Sequence, residues 1–157
     1  MSQSINQPTE YSYGLKVRIF PSSYQKLQIK RSSDASRFIY NELVAIDKEL
    51  YLLRQVKTYV SVVQQRIQQL EARSKSFVKI ADFHPWLNDS LIDSLAKSNA
   101  IRAYHAAWKR FRDVPGTCTP NFHKKSYEEK YQTSNQRSHD LFSGSIRFLD
   151  KNHVQLP

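Results

Sequence analysis

Four small clusters of side chains in this sequence carry chemistry that a polyanion would answer. Lys109, Arg110 and Arg112 crowd a single helical turn, Lys124, Lys125 and Lys130 surround Tyr127 and Tyr131, and Arg18 stands in a short alternating run. Guanidinium and ammonium groups meet phosphate oxygens as charge-assisted donors. Tyrosine rings can stack on bases, although packing against a sheet is their commoner use. The fourth cluster is "SRFIYN", where Arg37, Phe38, Tyr40 and Asn41 put a cation, two aromatics and an amide together. Phe38 and Tyr40 are read as helix packing, and Arg37 as a phosphate contact. Many charged runs form only solvated faces, so phosphate contact is expected of some of these cations and not of all.

The rest of the composition agrees with a polyanion-binding role and excludes several others. Among 157 residues, 24 Lys and Arg face 14 Asp and Glu, giving a net charge of +10. Such a field attracts nucleic acid, the commonest intracellular polyanion. Cys118 is the single cysteine, which excludes a disulfide framework and a cysteine-based zinc site and fits a reducing compartment. His84, His105, His123, His139 and His153 are scattered without ligand spacing. Metal-dependent transposition through an H-x-H pair and a nucleophilic tyrosine therefore lacks its pair. The opening "MSQSINQPTEYSYG" has no apolar core of a signal peptide, and no run approaches the roughly 20 apolar residues of a membrane span. The expected setting is a cytoplasmic one, at the bacterial nucleoid when bound, with no cofactor and no membrane partner.

The elements that position these residues follow from periodicity. Residues 1–12 read as a flexible tail. "YGLKVRIF", residues 13–20, alternates Leu15, Val17 and Ile19 against Lys16 and Arg18, the pattern of a half-buried strand with a basic face. Pro21, Ser22 and Ser23 end it and can cap a helix. Ile39, Leu43, Ile46, Leu50 and Leu53 then recur at helical spacing, as do Val56, Val60, Val63, Ile67 and Leu70. The polar "RSSDAS" from Arg31 to Ser36 is expected to break the first helical stretch, and a second break is expected near Lys57 and Thr58. Periodicity is lost over 72–87. A further helix, capped by Asn88 or Ser90, carries Ile92, Ala96, Ala100, Ala103, Tyr104, Ala107 and Phe111 on one face and ends at Pro115 and Gly116. "SGSIRFLDKNHVQLP" reads as a hairpin turning at Asp150–Asn152, with 120–136 as another strand or extended segment. Strand, helices, then strands imply an α+β fold. It comprises a small antiparallel β-barrel or sheet, from 13–21 and 115–157, interrupted by an inserted helical module over 22–114.

Five pieces in this order carry a family pattern: "YGLKVRIFPSSYQ", "SRFIYNELVAIDKELY", "SLAKSNAIRAYHAAWKRFR", "PNFHKKS…YQTSN" and "IRFLDKNHVQLP". Together they resemble the N-terminal half of TnpB-like RNA-guided nucleases, the OrfB proteins of insertion sequences, which are related to type V CRISPR effectors. The resemblance runs from about residue 13 to the end, and "RF-x-YN" is its most distinctive piece. It implies a wedge-like β-barrel with an inserted helical recognition lobe. It also implies contact with guide RNA, with the guide–target heteroduplex and with a short target-adjacent DNA motif. Carried over by position, motif reading falls at Tyr59, Ser90, Leu91, Ser94 and Thr133. Relatives use longer polar or basic side chains where Ser90, Leu91 and Ser94 stand, a departure that implies a different motif preference, and Ser90 could equally be a helix cap.

In the full-length family a RuvC-like nuclease domain with a zinc ribbon follows, and the expectation is that this chain stops at Pro157, where that domain would begin. No trio of convergent carboxylates for two-metal cleavage is evident. Asp47, Glu49, Asp89 and Asp93 fall in helical segments without a nuclease motif, so the chain is expected not to be an enzyme. Its expected partners are DNA and RNA, with the separate nuclease domain, or a second copy joined through an exposed sheet edge, as further ones. Two alternatives stay open. One is a stand-alone DNA-binding regulator derived from the family. The other is a helical module whose stripes 39–53 and 56–70 pack a protein partner.

Overall fold

The computed structural model describes residues 16–57, 60–135 and 142–157. Its centre is one long helix, α1 (Ser23–Arg54, 32 residues), preceded by an extended lead over 16–21. Ser22 starts the helix with a reciprocal cap: its hydroxyl accepts from the Gln25 amide at 3.3 Å, and its own amide donates to Gln25 Oε1 at 2.8 Å. Pro21 sits just before that cap and ends the extended lead. The helix α2 (Ser61–Ser74) folds back on α1, and Leu70 and Ile67 pack against Ile46, Leu50 and Leu53. Arg66 Nε grips Glu49 across the same seam at 2.6 Å. A short α3 (Phe77–Phe83) and a 3-10 turn over Pro85–Asn88 follow, and then α4 (Ser94–Asp113) lies along α1.

The main core forms where α1 meets α4, α3 and the 3-10 turn. Ala35, Ile39, Tyr40, Leu43 and Val44 from α1 meet Ile80 and Ala81, Leu87, Ile92, and Ala100 and Tyr104 of α4. Ile39 and Leu87 are wholly buried. At about 25 cal/mol per Å² of apolar surface, such positions dominate the stabilisation. A polar clasp seals the far side: Trp108 Nε1 donates to Asp47 Oδ2 at 2.8 Å, and the Tyr104 hydroxyl donates to the same oxygen. Burial and that carboxylate together hold the Tyr104 phenol far above its ordinary range.

Three expectations are corrected. No barrel forms. Among the described residues the sheet is a single antiparallel pair, β1 (Arg147–Phe148) with β2 (Val154–Gln155), and the rest is helices, turns and irregular chain. The run 16–20 is extended but unpaired, with Val17 and Ile19 about half exposed at 50% and 42%; Tyr13 to Leu15 lie outside the described residues. Alternation supplies a face, but a strand also needs a neighbour for its backbone donors and acceptors. Second, "RSSDAS" does not break α1. Ser32 and Ser33 are buried, and the small side chains of this stretch let α1 approach its neighbours closely. Ser36 Oγ donates to the Ala96 carbonyl at 3.3 Å, and Ser32 Oγ accepts from the Asp93 amide at 3.1 Å. Third, α4 begins at Ser94 and is capped by Asp93, whose Oδ1 accepts from the Leu95 amide at 2.8 Å. Asn88 belongs to the 3-10 turn and Ser90 to the link that follows it.

The gap near Lys57 falls as periodicity requires, because α1 ends at Arg54 and α2 begins at Ser61. The C-terminal hairpin also forms. Asp150 Oδ1 accepts from the amides of Asn152 (2.7 Å) and His153 (2.9 Å), which fixes its turn.

Candidate nucleic-acid interface

The residues proposed from sequence are sorted by the fold into three places. The first is a cleft of about 1120 Å³ between the extended lead, the N-terminal turns of α1, the link before α4 and the C-terminal hairpin. Arg18, Ser90, Leu91 and Ser94 all line it, with Lys151 on the hairpin side. Sequence position alone would not have joined this set, since Arg18 and Ser90 are far apart in the chain. The Arg18 guanidinium lies over the Phe20 ring at 5.0 Å. The Asp89 carboxylate pairs with Arg31 and accepts from the Leu91 amide at 2.9 Å, so the link carrying Ser90 and Leu91 is held rigidly against α1.

The second place is a groove of about 310 Å³ between α1, α4 and the strap 121–134, which crosses both helices. Arg37, Lys124, Lys125 and Lys130 line it. Their charges are partly spent locally. Arg37 Nη2 meets Asp34 Oδ1 at 2.9 Å and Lys125 Nζ meets it at 3.6 Å. Burial pushes the Asp34 carboxyl up, but the Arg37 hydrogen bond and the two nearby cations outweigh it, so the net shift is downward. Lys130 Nζ pairs with Glu128 at 2.6 Å. Lys124 is without an ion pair among the described residues, and is the freest cation of the set.

The same groove explains the "SRFIYN" cluster. Asn41 donates from Nδ2 to the His123 carbonyl at 2.9 Å and accepts the His123 amide at Oδ1 at 2.7 Å, imitating one rung of a sheet. The Tyr40 ring stacks on the His123 ring with centroids 3.8 Å apart and planes 8° from parallel. Phe38 turns the other way and meets His84 and Trp86 edge-on. The cluster therefore pins the strap on one flank of α1 and the 3-10 turn on the other. Thr133 belongs to the strap as well; its hydroxyl is buried and has no hydrogen-bond partner among the described residues. Asn99 Nδ2 donates to the carbonyl of Gln132 and the hydroxyl of Ser134 on either side of it. Tyr59 lies outside the described residues.

The third place is the outer face of α4. Lys109, Arg110 and Arg112 are exposed and make no ion pair among the described residues. Lys109 and Arg112 extend a stripe that cluster-by-cluster reading misses: Ser98, Arg102, His105, Lys109 and Arg112 recur at steps of 4, 3, 4 and 3, all exposed, opposite the buried Ala96, Asn99, Ala100 and Tyr104. The signal was present in the sequence as the complement of the apolar stripe. Within α4 the sole carboxylate is Asp113, at its last residue. Elsewhere, Glu42, Glu49 and Asp89 are matched by arginines, Arg73 to Glu42 at 2.5 Å among them.

Among the described residues no three of His, Cys, Asp and Glu converge in a way that could hold a metal ion, and no helix is long and apolar enough to cross a membrane. What the described surface offers is exposed cations, one array of them spaced along a 20-residue helix. That makes it a basic, mainly helical protein whose described surface suits a polyanion. Residues 12–55 match the helix-turn-helix domain model of the OrfB/IS605 family. The match makes residues 12–55 similar to that domain, and the likeness points to DNA as a partner. No curated protein and no solved structure matches. The matched stretch, where described, is an extended lead followed by one uninterrupted helix rather than two helices about a turn.

Proposed function

We propose that this chain is the nucleic-acid-binding part of a TnpB-like RNA-guided nuclease, holding guide RNA, its heteroduplex with the target and a target-adjacent DNA motif, while cleavage belongs to a separate domain. The observation that carries this reading is the stripe of α4 cations, Arg102, Lys109 and Arg112, which make no ion pair among the described residues, on a protein with net charge +10. A helix of 20 residues is about 30 Å long at 1.5 Å per residue, enough to follow a groove wall past several phosphates. The helix-turn-helix match over 12–55 supports DNA as one partner. The five ordered sequence pieces quoted above support the RNA-guided assignment. In this reading Arg18, Ser90, Leu91 and Ser94, together on one cleft wall, face the target-adjacent motif.

Gel-shift titrations test it. With six to eight phosphate contacts, affinity for duplex DNA and for structured RNA falls about a thousandfold or more between 50 and 200 mM salt. The triple variant Arg102→Glu, Lys109→Glu, Arg112→Glu flattens the slope of log affinity against log salt by roughly 3. Salt-independent binding, or none, would sink the proposal. RNA that co-purifies with the protein supports the guide-bound form. Duplex binding with no RNA partner returns the stand-alone regulator.

A further inference from the structure

The strap that crosses α1 is longer than the distance it has to cover. It is pinned at His123 by Asn41 and Tyr40. It is pinned again at Lys130, whose amide donates to Ser33 Oγ at 3.0 Å and whose carbonyl accepts from the same hydroxyl at 3.1 Å. Ser33 and Asn41 are eight positions apart on one helix, about 12 Å at 1.5 Å per residue. The seven chain steps from His123 to Lys130 can span roughly 23–25 Å. About half of that length is surplus and has to leave the helix surface as an arch. The chain bends at Tyr127 and Glu128, and Ser126 Oγ closes the bend by donating to the Glu128 carbonyl at 2.7 Å.

Tyr127 stands at the middle of this arch and packs on nothing: its exposure is 108%. Its chain-mate Tyr131 is different. Tyr131 is half-buried, and burial raises its phenol, with the Asp93 carboxylate adding to the shift. Among the aromatic rings of the described residues Tyr127 is the most exposed, ahead of Phe20 at 83%. Lys124, the cation left without an ion pair among the described residues, precedes Tyr127 by three residues on the same arch.

We propose that the arch 124–130 is a base-stacking finger, in which Tyr127 stacks on an unpaired base of single-stranded DNA or RNA and Lys124 takes the adjoining phosphate. The proposal rests on the nucleic-acid-binding reading above and adds to it a site, a strand state and a residue. Fixing both ends of the arch removes much of the ordering cost that a free loop would meet on binding. Bases inside a duplex are already stacked on each other, so a single tyrosine with one nearby cation selects unpaired ones.

Fluorescence anisotropy on the full chain tests it with three labelled probes: a 12-mer of oligo(dT), a 12-mer of oligo(U) and a blunt duplex. Tyr127→Ala weakens single-strand binding about tenfold, within the range for loss of one base–aromatic stack. It leaves duplex binding within twofold, and Tyr127→Phe retains full affinity. Loss on oligo(dT) alone or on oligo(U) alone identifies which strand the finger takes. Because the ring is wholly exposed, the far-ultraviolet circular dichroism of both variants matches that of the parent. Single-strand binding that Tyr127→Ala leaves unchanged overturns the finger while leaving the broader reading intact, and so does an equal loss on the duplex. A parent chain that binds none of the probes overturns both.

Discussion

Tyr40 and Asn41 hold His123 through two kinds of contact, a stacked ring and a pair of hydrogen bonds between the Asn41 side-chain amide and the His123 backbone. The ring contact has a measurable electrostatic consequence. Covering one face of the imidazole removes water from the charged form, and burial lowers the His123 pKa below the ordinary histidine value. The sign of the linkage follows. The unfolded chain binds a proton at a higher pH than the folded chain does, so the contribution of His123 is fully present above the unfolded pKa and is lost as pH falls towards the folded one. Nuclear magnetic resonance titration of the imidazole should give a midpoint below that of a free histidine. Tyr40→Ala should move it back upward. A midpoint at or above the free value in the parent would show that the stack does not exclude water. Arg37, the cation of the same cluster, spends its charge on Asp34 at 2.9 Å, which leaves Lys124 as the freer cation of this groove.

At the scale of elements, α1 organises everything else, and its continuity is the feature that sequence reading missed. The aliphatic stripes were legible: Ile39, Leu43, Ile46 and Leu50 are buried, and Ile67 and Leu70 pack on the last of them. Val56 and Val60 are exposed because the helix has stopped by then. "RSSDAS" was not legible, since serine and aspartate favour caps and turns when judged alone. In the fold they are the small and hydrogen-bonding surface against α4 and the strap, and only the partner's position reveals that. The seven-residue α3 is too short for its period to show. The strand over 13–20 was read from a face without evidence of a neighbour. Continuity makes a sharp prediction at Ala35, which is 0% exposed. Ala35→Leu in a loop would be harmless, whereas against the packed α4 it should cost about 1–3 kcal/mol by overpacking. Urea unfolding followed by circular dichroism reads the difference. A variant as stable as the parent would mean that the α1–α4 contact is looser than the buried serines imply.

Across the whole molecule, the charges divide into two populations with separable jobs. Along the α1–α2 seam the arginines are neutralised, Arg66 by Glu49 and Arg73 by Glu42. The Arg66 side chain donates to both Glu49 oxygens, at 2.6 and 3.0 Å, and this holds the Glu49 carboxyl below its usual range. On the outer face of α4 the cations have no such partners among the described residues, so their mutual repulsion is relieved only by counterions or by a polyanion. Binding releases those counterions, which is why affinity for nucleic acid should depend steeply on salt, while fold stability should not. The two populations therefore predict opposite outcomes for reversals of similar chemistry. Arg66→Glu sets two carboxylates against each other on a seam that is about half exposed. It should lower the melting temperature by about 1–4 °C and change DNA affinity less than threefold at 100 mM salt. Arg102→Glu with Lys109→Glu should leave the melting temperature unchanged or raise it, because like charges are removed from one helix face. It should weaken DNA binding at least tenfold at the same salt, with the loss shrinking as salt rises. Calorimetry and anisotropy on the same preparations give both readouts. If Arg66→Glu proved as damaging to DNA binding as the α4 pair, net charge alone would account for affinity, and the stripe would have no special place in it.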